Sequence, residues 1–334
     1  MSANKQQSSK TSPLFSSTRK WSVGCAMLLL ASLWSGFSDA QTWPLPAPGS
    51  RLIGVNQFHV VQDDGGSLEN IASQYGVGFL ALRQANPGVD PWLPLAGSVL
   101  TIPHQVILPE TPHEGIVINL AELRLYYYLP GSNQVAVYPI GIGQLGGDTF
   151  TPTMVTHVSE KRANPTWTPT KNIRARYLAQ GIELPAVVPA GPDNPMGHHA
   201  IRLAAYGGVY LIHGTNADFG IGMRVSSGCI RLRDGDIETL FSQVNQGTPV
   251  RIINEPVKAS REPDGQYWVE VHQPLSQSLD DNPQTLPLTV SRQDQLLLGS
   301  PDVNADVTEQ AMHLRAGMPV NITNQIHKTD DQAL

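Results

Sequence analysis

LIHGTNADFGIGMRVSSGCIRL, residues 211–232, places a histidine, His213, sixteen positions before a cysteine, Cys229. A connection rich in Gly, Asn, Asp and Ser joins them, and such residues make turns rather than helix. Val209, Tyr210, Leu211 and Ile212 form a β-branched and aromatic run, which predicts a buried strand ending at the histidine. Ser226, Ser227 and Gly228 lead into Cys229 with little side-chain bulk, leaving the sulfur open to another molecule. Arg231, two residues on, projects to the same side if the chain is extended there. The layout suits a thiol nucleophile, an imidazole base and a carboxylate clamp. A cationic imidazole lowers a nearby thiol's pKa, so a Cys229–His213 ion pair is expected near neutral pH. Backbone N–H groups near Gly228 and Cys229 are the expected oxyanion donors. Gly228 is read as a position where a side chain would block that approach or forbid the backbone angles. Ser226 and Ser227 read as turn formers beside the substrate, and Arg231 offers a planar fork to a carboxylate.

Working outward, the N-terminus explains why one thiol matters. Residues 1–20 are polar and carry Lys5, Lys10, Arg19 and Lys20; residues 21–37 are mostly apolar; Ser38, Asp39 and Ala40 are small or short. That is the form of a secretory signal peptide cleaved after Ala40. Cys25 leaves with it, so Cys229 remains as a single thiol in an oxidising compartment, where an unpaired cysteine needs a task. Cleavage leaves 18 of the 22 basic and 27 of the 28 acidic residues, a formal charge of −9. An acidic chain without a basic stripe is a poor match for nucleic acid. No apolar run after Phe37 is long enough to span a bilayer.

His213-Gly214, a glycine-rich spacer, then Ser226, Gly228-Cys229 and Arg231 resemble the active-site signature of the L,D-transpeptidases, specifically the ErfK/YbiS/YcfS/YnhG group with its YkuD catalytic domain. Many relatives carry a second histidine where this chain has Ser227. The resemblance implies a mainly β fold with α elements (α+β), whose catalytic domain is β-sandwich-like. It implies Cys229 as nucleophile and His213 as its proton partner, oriented by the Gly214 carbonyl. A similar N-P-x-G segment in the family maps onto Asn194 and Gly197 as lining of the substrate cleft. It also implies acylation of Cys229 by carbapenems and insensitivity to most other β-lactams. The substrate implied is a peptidoglycan tetrapeptide stem, cut at the meso-diaminopimelate–D-alanine bond and held as a thioester. The acceptor is the C-terminal lysine of Braun lipoprotein in the ErfK/YbiS/YcfS branch, or a second diaminopimelate in the YnhG-like branch, giving a 3→3 cross-link. The setting implied is the periplasm, and neither cofactor nor metal is required.

Residues 41–55, with TWPLPAPGS, read as an extended linker. Residues 56–104 read as strand, helix, helix, strand: a strand at Phe58–Val61, apolar Leu68, Ile71, Ala72 and Tyr75 at helical spacing, a second helix over Phe79–Ala85 ended by Asn86-Pro87-Gly88, and a strand at 99–103. This pattern resembles LysM, a module that binds the N-acetylglucosamine backbone of peptidoglycan; a spacer that only packs on its neighbour is the other reading. Over 110–254 the pattern predicts antiparallel strands at 115–120, 124–129 and 134–142, short strands within 151–169, a helix over 171–180, a proline-rich loop to 195, strands at 200–203 and 209–212, a helix over 234–244 and a strand at 248–253. Residues 255–334 form a C-terminal extension with a strand at 267–272 and a helix at 309–317. Two other classes compete. His198 and His199 with His213 and Cys229 could assemble a zinc site for a wall hydrolase, although the spacing lacks a zinc signature. A non-catalytic wall-binding protein is the other.

Overall fold

The computed structural model describes residues 41–145 and 149–324. The expected signal segment, 1–40, lies outside them, as does the end of the extension. Instead of a free linker, β1 (Gln41–Pro44) is a strand on a sheet edge, and β2 (Leu52–Ile53) follows it. Then comes the strand–helix–helix–strand unit: β3 (Gln57–Val60), α1 (Leu68–Gln74), α2 (Phe79–Ala85) and β4 (Val99–Ile102). β3 and β4 pair antiparallel, and Ser67 caps α1 by accepting the Asn70 amide. Leu68, Ile71, Ala72, Leu82, Leu100 and Ile102 bury together beneath that hairpin.

After β5 (Val106–Ile107) the chain lays down three consecutive antiparallel strands, β6 (Gly115–Asn119), β7 (Arg124–Tyr128) and β8 (Gln134–Pro139). β6 and β7 are buried at every position because each face has its own core. Ile116, Ile118, Leu125 and Tyr127 face one cluster, whereas Val117, Tyr126 and Tyr128 face another. This is the alternation that a period of two demands. β9 (Ile142–Gly143) and β10 (Met154–Ala163) follow. The latter is one ten-residue strand where several short ones were expected. Next are α3 (Lys171–Leu178), β11 (His199–Leu203), β12 (Leu211–His213), β13 (Arg224–Ser226), β14 (Ile230–Arg231), α4 (Asp234–Gln243) and β15 (Pro249–Ile253).

The fold is mainly β with α, as expected. Nine strands run in one curled sheet, ordered β1-β8-β7-β6-β15-β10-β11-β12-β14. Most neighbours are antiparallel, but β15 pairs with β6, and β12 with β14, in parallel. The extension adds a three-stranded sheet of β16 (Val257–Arg261), β17 (Tyr267–Val271) and β18 (Pro319–Asn321), packed with α5 (Arg292–Leu298) and α6 (Ala305–Leu314). α6 begins four residues before the helix read from the sequence, at its Asn304 cap.

Candidate active site

The parallel pairing of β12 with β14 brings the two ends of the His213–Cys229 connection together. Ile212 lies opposite Ile230, and His213 opposite Arg231. Alternation then puts Leu211 and His213 on one face of β12, with Cys229 and Arg231 beside them. All four line one cavity of about 690 Å³. Cys229 is half-buried at its wall, not deep in apolar packing; its sulfur is 3.9 Å from the Val209 carbonyl, and the Leu211 amide also approaches it.

His213 is 6 % exposed, and its Nδ1 donates to the Gly214 carbonyl at 2.6 Å. That bond places the ring proton on Nδ1 and leaves Nε2 to accept one. Burial, then the charge of Arg231, lower the imidazole to about 4. Burial pushes the Cys229 thiol up, against the pull of the Leu211 amide and Arg231. Both shifts act against the standing ion pair expected from the sequence. The physical reason is desolvation, which penalises both charged forms together.

The turn into the cysteine is braced from inside. Ser226 Oγ donates to the Cys229 carbonyl at 2.5 Å and accepts the Gly228 amide at 3.2 Å. The Gly228 N–H is thus engaged by the Ser226 hydroxyl. Gly228 has φ of +107°, and a Cβ there would meet nothing closer than 3.6 Å. Conformation, not space, demands the glycine. Thr151, to which no sequence signal pointed, donates to the Gly228 carbonyl at 2.9 Å and accepts the Gly143 amide at 3.0 Å.

Arg231 faces the cavity with no carboxylate partner among the described residues, and its buried Nε lacks a hydrogen bond. Such a guanidinium suits an incoming carboxylate. Trp167 and, from α3, Arg176 and Tyr177 also line the cavity; Arg176 donates to Ser227 Oγ at 3.0 Å.

Asn194 and Gly197 do not face the cavity. Asn194 is fully buried and spends its amide on the Pro165 and Pro189 carbonyls at 2.7 and 3.0 Å, and its Oδ1 accepts the Met196 amide. Gly197 packs against Gly214 and Asp234, where a Cβ would come within 2.9 Å of the Gly214 carbonyl carbon. Gly197 therefore packs on the Gly214 backbone, Asn194 ties together the 165–197 segment, and Pro195 and Met196 supply the lining instead. Nor do the histidines assemble a zinc site. His198 pairs with Asp234, and His199 lies against the Phe241 ring, 4.6 Å between centroids.

Residues 113–252 match the family model for the YkuD L,D-transpeptidase catalytic domain, and residues 256–322 match the L,D-transpeptidase C-terminal domain. The chain is 70 % identical over 297 residues to "Probable L,D-transpeptidase YcfS" of Escherichia coli K12, covering 89 % of this chain and 92 % of that one. The chain belongs to the L,D-transpeptidases. Two further relatives in Escherichia coli K12 are named "Probable L,D-transpeptidase YbiS", 52 % identical over 85 % of this chain and 93 % of its own, and "Probable L,D-transpeptidase ErfK/SrfK", 49 % identical over 92 % and 98 %. The cavity with His213 and Cys229 lies within the matched L,D-transpeptidase catalytic domain. The β16–β18 sheet lies within the C-terminal one, and the strand–helix–helix–strand unit lies outside both.

Proposed function

We propose that Cys229 is the nucleophile of an exported L,D-transpeptidase that cuts the meso-diaminopimelate–D-alanine bond of a tetrapeptide stem and passes the acyl group to an amine. The observation that carries this reading is one cavity lined by the thiol, an imidazole whose Nδ1 is given to the Gly214 carbonyl, and a guanidinium with no carboxylate partner among the described residues. As the sulfur adds to the carbonyl, His213 Nε2 takes the thiol proton, and the Cys229 N–H receives the developing oxyanion. The tetrahedral species collapses, His213 returns its proton to the departing D-alanine nitrogen, and a thioester remains. The acceptor amine, deprotonated by His213, then attacks the thioester and releases the thiol. Arg231 pairs with a substrate carboxylate. That pairing also offsets the charge which depresses His213, so the base strengthens when substrate is present.

The acceptor favoured by similarity along almost the whole chain to the ErfK/YbiS/YcfS branch is the C-terminal lysine of Braun lipoprotein; a second diaminopimelate is the alternative. The setting is the periplasm, by the signal-like run of residues 1–40, and among the described residues no helix is long and apolar enough to cross a membrane. The strand–helix–helix–strand unit is assigned to glycan binding by its LysM-like sequence. Intact mass after incubation with a carbapenem tests the nucleophile: one adduct on the wild type and none on Cys229→Ala is expected. An adduct on both proteins, or on neither, would overturn the assignment. Muropeptides from cells lacking the gene separate lipoprotein anchoring from cross-linking.

A further inference from the structure

The loop between His213 and Cys229 is gripped from outside the catalytic domain. The first two amides of α2, Phe79 and Leu80, donate to the Ile221 and Gly222 carbonyls at 3.2 and 3.3 Å. Backbones touch at that point: Gly222 has φ of +80°, and a Cβ on it would fall 2.4 Å from the Gly78 Cα. A Cβ on Gly78 would come 2.9 Å from the Gly222 Cα. On its other side the loop is tied to the sheet, since the Gly222 amide donates to the Ile140 carbonyl and the Ile142 amide to that of Met223. Met223 packs into the core of the strand–helix–helix–strand unit, and Leu80 of that unit packs into both cores. Arg233, four residues beyond Cys229, closes the seam. It is buried, donates to the Val77 carbonyl at 2.9 Å, and feels the charges of Asp236, Asp218 and Glu69, so that α4, the loop and α1 converge on one guanidinium.

We infer that the strand–helix–helix–strand unit is a positioning part of the catalytic apparatus, holding the 214–228 loop in the shape that sets Cys229 against His213, through Gly78, Gly222 and Arg233. Two glycines meeting backbone to backbone leave no room for slip, and two hydrogen bonds fix the loop's register against α2. A unit that served only to tether the enzyme to glycan would need no contact with this loop. Whatever the unit binds therefore bears on the same backbone that carries the nucleophile's turn.

This inference rests on Cys229 as nucleophile, and the test keeps the two apart. Gly78→Ala adds one methyl at a residue with ordinary backbone angles (φ −79°, ψ 146°), so it wedges the seam without straining its own chain. In the full-length protein it is expected to lower kcat for transfer from a tetrapeptide stem by roughly tenfold or more, because small displacements of a reacting group are costly. KM for the stem stays within about twofold. The pH profile of iodoacetamide alkylation, read at Cys229 by peptide mass, moves as well. Arg233→Met gives the same pattern and Arg233→Lys retains most of kcat, which keeps the test decisive if Gly78→Ala does not fold. Folded variants with unchanged kcat and unchanged alkylation profile, or with losses that track the melting temperature alone, would overturn it. If the wild type transfers nothing while the alkylation profile still moves in the variants, the proposed reaction fails and the positioning role stands.

Discussion

His213 ends β12 with Nδ1 given to the Gly214 carbonyl, so its charge state is a property of the fold as much as of the reaction. The folded chain protonates this ring only near pH 4, whereas the unfolded chain does so near 6.5. Between those values the unfolded state holds more protons, so stability rises with pH across the window. Lowering the pH from 6.5 to 4 is expected to remove up to about 3 kcal/mol, at roughly 1.4 kcal/mol per pH unit, and the slope flattens below 4. Urea denaturation across that range checks this: His213→Gln should lack the His213 part of the slope, and an identical slope in both proteins would count against it. His213, Cys229 and Arg231 were readable in advance because a strand, a turn-rich spacer and a second extended segment are local patterns. Thr151 was not, since a threonine more than seventy residues from the cysteine becomes a brace only once the sheet is formed. Asn194 and Gly197 were found by resemblance, yet their place outside the cavity lining follows from the bonds of Asn194 to the Pro165 and Pro189 carbonyls and the packing of Gly197 on Asp234 and Gly214, which no motif encodes.

α3 differs in kind from the strands around it. Its eight residues include none that is buried, although Thr170 caps it by accepting the Ile173 amide. A helix so short is marginal without a packed face, so this wall of the cavity belongs to the low-stability end of the molecule. Amide exchange over 171–178 is expected to be at least about a hundredfold faster than in β11, and slower once Cys229 is acylated. Equal protection in the two elements would refute this. The helix itself was legible from composition, as was α2, bounded by Gly78 and by Asn86-Pro87-Gly88. β10 was not read as one strand because its outer half carries Glu160, Lys161 and Arg162, and its mixed exposure hides the period. β16 was missed for a sharper reason. Lys258 and Ser260 look like a solvated segment, yet both are buried: Lys258 finds partners distant in sequence, and Ser260 donates to Glu262.

At the scale of the molecule, those partners join the catalytic sheet to the C-terminal domain. Lys258 is fully buried against Glu122 at 2.8 Å, Glu270 at 3.1 Å and the Ile107 carbonyl. Arg124 bridges the same two carboxylates at 3.1 and 2.5 Å, and His272 donates to Glu270. Two cations face two anions, and the attraction holds both carboxyls below their ordinary range despite burial. A depressed carboxyl contributes stability above its unfolded pKa and loses it as the pH falls, so this junction adds acid lability below about pH 4. Lys258→Met leaves one cation for two buried anions and is expected to lower unfolding free energy by about 3–5 kcal/mol, measured with denaturant at neutral pH. A change under about 1 kcal/mol would show the cluster to be dispensable.

The central parallel pair sets a timetable for the whole chain. β6, near residue 115, finds its neighbour β15 only near residue 253, and the charges that seal Glu122 come later still, from Lys258 and Glu270. A polypeptide emerging end first, from a ribosome or through a translocation pore, cannot complete its sheet until β15 has emerged. Distant pairing of this kind slows folding, because a long loop must close before the contact rewards it.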